Sequence, residues 1–361
     1  MVDLEQQTLG LWPELERAVL GVLRSGRFIL GPNVEAFERE AAAFLGVRFA
    51  IGVGSGTDAL VLGLRALGVG PGHEVIVPSF TFFATAEAVS LVGATPVFAE
   101  IDPVSFCVDP ASVRARITPG TRAIVPVHLF GHPADMTALR ELLRGREIAL
   151  LEDAAQAFGA ELRGAKIGGL GEAAAFSFFP SKNLGAFGEA GLIATNDERV
   201  ADSVRSLRAH GSRQRYVNTE IGYNARLDEI QASLLRVKLP HVARWNDERR
   251  RVAAEYTANL GGIAGLTPPS VASGCAHVFH QYTLRISDGR RDAVARALEA
   301  AGIATQVYYP IPVHQLPVYA ESKVSLPITE TAASEVLSLP IFPELSSADA
   351  REIARRVRAA L

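Results

Sequence analysis

The chain has 361 residues, 48% hydrophobic and 21% charged, with 36 basic against 39 acidic residues and a formal net charge of −3. That balance, with no basic run, gives a nucleic-acid partner no electrostatic support, although a local positive pocket for an anionic substrate is compatible with it. No stretch reaches the roughly 20 apolar residues of a membrane span, and the start has early acids where a signal peptide has basic and then apolar residues.

A soluble cytoplasmic protein is therefore the expectation. The two cysteines, Cys107 and Cys275, have no paired metal-ligand spacing and read as buried or idle thiols. In chain order, residues 11–26 form an amphipathic helix, with Pro13 near its start where a missing amide proton does no harm. Gly31 and Pro32 then mark a turn, and Val34 and Phe37 begin a second helical pattern. From residue 48 an apolar run leads into the glycine cluster GVGSG and a helix that starts near Thr57 or Asp58. Short β-branched or apolar runs follow at 74–80, 95–101, 121–131 and 147–156, alternating with helical stretches. Such continuous apolar strands predict a parallel sheet covered on both faces, with ligands at the carboxyl ends of the strands.

Residues 173–197 read as two strands around a glycine-rich turn, and 198–209 as a helix. Residues 227–262 form a long helical tract, bent at Pro240, that links two domains. HVFHQYTLRI reads as a strand carrying both His277 and His280, followed by the helix DAVARALEAAG and a terminal helix in REIARRVRAAL. These elements make a smaller α+β unit.

Four local patterns carry chemistry. Lys182, in SFFPSKNLG, follows a strongly apolar tract. A lysine is ordinarily a solvated surface charge, but one that enters an apolar site loses its proton more readily and becomes a nucleophile. Asp153 ends the strand IALLED, as a cap or as the counter-charge of a protonated ring nitrogen. It is favoured over Glu152, which points to the opposite face of a strand. GSGTDA is a helix start that either holds a phosphate on its amide protons or is a plain turn. It matches neither an ATP phosphate loop nor a dinucleotide fingerprint. The aromatics of PSFTFF read as core or as a stacking surface. Metal chemistry has no supporting motif, and no GxSxG elbow points to a serine hydrolase.

Taken together, FILGPNVEAFE, GSGTDAL, PSFTFFATAEAV, PVHLFGHPADM, LEDAAQAFGA, FSFFPSKNLGAFGEAG, GYNARLDEIQA, HQYTL, YYPIPVH and LSLPIFPEL span nearly the whole chain. In this order they resemble the DegT/DnrJ/EryC1/StrS sugar aminotransferases, pyridoxal-phosphate enzymes. The resemblance implies an α/β chain with the aspartate-aminotransferase fold (fold type I). Residues 1–240 would form the N-terminal segment and a large cofactor-binding domain with a mostly parallel seven-stranded sheet. Residues 241–361 would supply the linking helix and a smaller α+β C-terminal domain.

The resemblance also implies roles. Lys182 matches the lysine that holds pyridoxal 5'-phosphate as an internal aldimine, and Asp153 the partner of the pyridine nitrogen. Gln156 matches the neighbour of the phenolic oxygen, and Phe82 the aromatic over the ring. Gly56, Thr57 and Ser177 match phosphate contacts. Asn224 matches an asparagine that reaches the phosphate from the neighbouring subunit, which implies a homodimer with shared active sites. Arg226, Tyr309 and His314 are candidates for the substrate side. The implied reaction moves an amino group from L-glutamate to a nucleotide-diphosphate-linked keto-sugar through a pyridoxamine form, and YYPIPVH leans toward carbon 3. Amination at carbon 4, a sugar dehydratase or lyase, and a non-catalytic cofactor-binding regulator are the alternatives.

Overall fold

The computed structural model describes residues 1–214 and 216–361. Its centre is a seven-stranded sheet. In chain order the strands are β1 (Phe49–Val53), β2 (Glu74–Pro78), β3 (Thr95–Ala99), β4 (Thr121–Ile124), β5 (Ala149–Asp153), β6 (Ala173–Ser177) and β7 (Gly191–Thr195). Their spatial order is β1-β7-β6-β5-β4-β2-β3. Pairs from β3 to β6 are parallel, and β7 runs antiparallel to both β1 and β6.

The apolar runs have the physical cause expected of a doubly covered sheet. Side chains alternate between faces along a strand. Val75 and Val77 enter one core while Ile76 enters another. Leu150 and Leu151 divide in the same way, as do Phe176 and Ala175. Both faces are thus buried, and neither needs polar residues.

Three helices were not anticipated: Leu4–Gly10, Pro110–Arg116 and Pro327–Glu335. The first two have seven residues, too short for a clear apolar stripe. The long helical tract divides into Glu229–Lys238, a 3-10 turn Leu239–His241 at Pro240, and Val242–Leu260. Val242 and Trp245 pack in the core of the large sheet, whereas Val252, Tyr256 and Leu260 pack in a separate core. That second core lies against an antiparallel sheet of β8 (Leu266–Thr267), β9 (Tyr282–Ile286) and β10 (Val336–Leu339). The expected strand across both histidines is shorter than its apolar pattern. His277 and His280 precede β9, and Phe279 between them has φ 41°, outside strand geometry. No helix among the described residues is long and apolar enough to cross a membrane.

One remote cap ties the amino-terminal segment to the sheet domain. Glu229, 1% exposed, accepts hydrogen bonds from the main-chain N–H groups of Gly31, Asn33 and Val34 at 2.9, 3.0 and 2.7 Å. These are unpaired donors at the start of helix Pro32–Leu45, where a carboxylate also opposes the helix dipole. Glu229→Gln is expected to lower unfolding free energy by about 2 kcal/mol, because a charge-assisted acceptor becomes a weaker amide. Urea unfolding measures it, and a loss below about 0.5 kcal/mol would show that the cap contributes little.

Candidate active site

The carboxyl ends of β2, β5 and β6 open into a cavity of about 510 Å³. Lys182 reaches it from the segment that follows β6. That segment turns tightly: the N–H of Lys182 donates to the Phe179 carbonyl at 2.8 Å, and the N–H of Ala186 to the Phe178 carbonyl at 2.7 Å. Gly185 is required there, since a Cβ would lie 2.1 Å from the Pro180 carbonyl oxygen. The amine touches the cavity but is otherwise surrounded by protein. Burial pulls its pKa from 10.5 down to about 8, against the opposing pull of Asp153.

Asp153 sits on the same cavity, at the last position of β5. Thr85 Oγ1 donates to its Oδ2 at 2.8 Å, and the Ala155 N–H to its Oδ1 at 3.2 Å. Burial raises its pKa, while these donors and the Lys182 cation hold it back. Glu152 turns to the opposite face, as alternation requires. There it accepts from the main-chain N–H groups of Gly168, Leu170 and Gly171 and lies 3.1 Å from His128 Nε2.

The helix Gly56–Ala66 starts at the cavity wall, with Ser55 capping the N–H of Asp58 at 3.0 Å. A Cβ on Gly56 would lie 2.6 Å from Ser177 Cβ, so the glycine lets Ser177 and the helix start meet. Gly56, Thr57 and Ser177 line one end of the cavity. Main-chain donors and hydroxyls at a helix start make this an anion cup. Gln156 lies toward the other side. It accepts the Phe130 N–H at 2.6 Å and donates to Tyr309 Oη at 3.1 Å. Phe82 is 59% exposed at the mouth, its ring centroid 6.2 Å from that of Tyr309.

The structure therefore brings together Lys182, Asp153, Gln156, Gly56, Thr57, Ser177, Phe82 and Tyr309. It does not bring Asn224, Arg226 or His314 to this cavity. Asn224 is exposed on a segment that pairs with Ala209, and Arg226 pairs through its main chain with Val53. His314 is buried, with Nδ1 2.6 Å from Ser79 Oγ and Nε2 3.3 Å from Glu330. It clasps the turn after Pro312 to the end of β2. Sequence reasoning missed Thr85, Glu189, His280, Gln281 and Tyr308. For Thr85 a signal existed: it follows Thr81 by one helical turn, and the two hydroxyls lie 2.9 Å apart.

The sequence matches the DegT/DnrJ/EryC1/StrS aminotransferase family over residues 12–358. The chain belongs to this family. It is 47% identical to the UDP-N-acetyl-3-dehydro-alpha-D-glucosamine 3-aminotransferase of Acidithiobacillus ferrooxidans, over 100% of this chain and 97% of that one. Its fold is similar to that of DesV from S. venezuelae, solved in complex with a ketimine intermediate, with TM-score 0.96 and 48% identity over 99% and 97% of the two chains. NtdA from Bacillus subtilis, solved with bound cofactor PMP, matches with TM-score 0.89 and 32% identity over 96% of this chain and 82% of its own.

The charge state of Lys182 is measurable directly. Trapping an aromatic aldehyde on the protein with borohydride, with peptide mapping of the product, should label Lys182 with a midpoint near pH 8. Only the free amine reacts, so labelling rises as pH rises through that value. Asp153→Asn removes the carboxylate that raises the lysine pKa, so the midpoint should fall further. A midpoint near the ordinary lysine value of 10.5 would contradict the placement.

Proposed function

We propose that this aminotransferase uses pyridoxal 5'-phosphate to move an amino group from L-glutamate to carbon 3 of a nucleotide-diphosphate-linked keto-sugar. In this reading it works in the cytoplasm as a homodimer whose active sites are shared. The observation that carries the reading is the cavity itself: an amine of lowered basicity, a buried carboxylate and an anion cup on one wall system.

The residues fit the cofactor by their chemistry. Gly56, Thr57 and Ser177 would receive its phosphate, Phe82 would cover a ring face, and Gln156 would lie near the phenolic oxygen. Asp153 would face the ring nitrogen. Burial alone would favour a neutral acid there, and a protonated ring nitrogen is the cation that makes the charged form favourable. When bound, the group supplies a conjugated electron sink for the pair left when a carbon–hydrogen bond breaks.

The chain's own residues do the rest. Lys182 Nζ takes the α-proton of the amino donor and later delivers a proton to the sugar carbon that receives nitrogen. Its lowered pKa lets the free amine and the ammonium interconvert near neutral pH. Asp153 keeps the ring nitrogen protonated throughout. The apolar walls, Leu60, Ala84 and Val127 among them, limit water at the reacting atoms. Tyr309 Oη accepts from Gln156, which leaves its O–H free for a substrate oxygen.

Carbon 3 is favoured by the likeness to the 3-aminotransferase of Acidithiobacillus ferrooxidans and by the YYPIPVH segment. A shared site is supported by the exposed Asn224, which lies off its own cavity, and by the exposed Phe82, Phe179 and Phe187. Phe82 and Phe179 are exposed on the lining of the same cavity, and large apolar surface at one site favours a covering partner.

The deciding experiment supplies the purified protein and cofactor with L-glutamate and a panel of 3-keto and 4-keto nucleotide sugars. Wild type is expected to form the 3-amino product and 2-oxoglutarate. Lys182→Ala should lose the visible cofactor band characteristic of an attached lysine and reduce turnover by at least about 1,000-fold. A 4-amino product would overturn the position, and multiple turnover by Lys182→Ala would overturn the role of the lysine.

A further inference from the structure

His280 lines the cavity together with Lys182 and is 6% exposed. Its Nδ1 lies 3.1 Å from Asn183 Oδ1. Neighbouring groups with no freedom fix the direction of that bond. The Asn183 amide nitrogen lies 3.0 Å from the Val278 carbonyl oxygen and 2.7 Å from Asn246 Oδ1. A main-chain carbonyl only accepts, so the NH2 end of Asn183 must face it. The Asn183 oxygen is thereby left for His280. Asn246 is oriented in the same way, its Nδ2 donating to the Phe158 carbonyl at 3.1 Å.

An oxygen facing Nδ1 requires a proton on Nδ1. Burial, with Lys182 and Arg249 close by, disfavours a second ring proton. A neutral imidazole protonated at Nδ1 carries a lone pair at Nε2. No described residue donates to that nitrogen. Arg249 holds the segment in place, its Nη1 donating to the carbonyls of Phe279 and Ile341 at 3.2 and 3.0 Å.

We infer that His280 is a positioning residue, locked as its Nδ1–H tautomer by the Asn183–Asn246 relay, whose Nε2 accepts an N–H from an amine in the cavity. That amine is Lys182 Nζ or the amino group in transit. The inference rests on the transamination reading. Its physical value is directional. An amine that points one N–H at a fixed acceptor has its lone pair aimed elsewhere, and an acceptor that stays neutral does not remove the proton that Lys182 must hand back.

Ring-¹⁵N histidine labelling of the holoenzyme tests the tautomer without reference to turnover. The chain has 8 histidines, and the His280 signals are those missing from His280→Gln. Wild type is expected to show a protonated Nδ1 and a bare Nε2 at neutral pH. A protonated Nε2 or an imidazolium overturns the inference.

Two variants then separate positioning from packing. Glutamine places an acceptor near the site of Nε2, while asparagine replaces only the Nδ1 side that faces Asn183. His280→Gln should keep kcat within about threefold, and His280→Asn should lower it about tenfold or more with KM little changed, the size of one lost hydrogen bond. The opposite order, or equal losses, overturns the role. A labelling arm distinguishes the two amines: if Lys182 is the donor, His280→Asn also shifts the pH midpoint of aldehyde trapping at Lys182. An unshifted midpoint with reduced kcat assigns the amino group in transit. Absence of turnover in wild type refutes the functional reading, whereas the ring shifts decide the tautomer either way.

Discussion

One electrostatic arrangement sets the character of the cavity: an amine and a carboxylate, 29 positions apart in sequence, face it together. Burial works against both charges, drawing the Lys182 pKa down and the Asp153 pKa up. Each charge partly offsets the cost of the other. The remaining imbalance has a chemical consequence: a lysine near pH 8 exchanges its proton readily, and a buried carboxylate favours a neighbouring cation.

The fold serves that arrangement. β5 and β6 are adjacent and parallel, with Asp153 opposite Ala175, so the carboxylate and the lysine segment leave the sheet on the same side. The reversal of β7 brings the chain back beside the helix start at Gly56. There Gly191 passes so close to Ser55 that a Cβ would lie 2.1 Å from its carbonyl oxygen. Glycine at these crossings has a steric cause, since the anion cup exists only if Ser55, Gly56, Ser177 and Gly191 approach without intervening side chains.

Much of this was legible in the sequence. Continuous apolar strands announced a sheet buried on two faces, and alternation separated Asp153 from Glu152. The SFFPSKNLG lysine stood out by its apolar surroundings. What could not be read depended on tertiary docking. His314 follows an aromatic, proline-rich motif, yet the turn that carries it docks onto Ser79 and turns the ring away from the cavity. VFHQYTL is largely apolar and aromatic and reads as a strand through His280. The left-handed backbone at Phe279 breaks that strand, and His280 lines the cavity that Lys182 also lines. Asn183, beside the lysine, gave no signal at all, because its value lies in bonds to residues 63 and 97 positions away.

Borohydride reduction of the protein as purified from cells, followed by peptide mass mapping, tests whether Lys182 is the amine that holds the cofactor. The expected product is a single phosphopyridoxyl group, attached to Lys182 and absent from every other lysine. A label on a different lysine, or an unlabelled protein after incubation with pyridoxal phosphate, would contradict it.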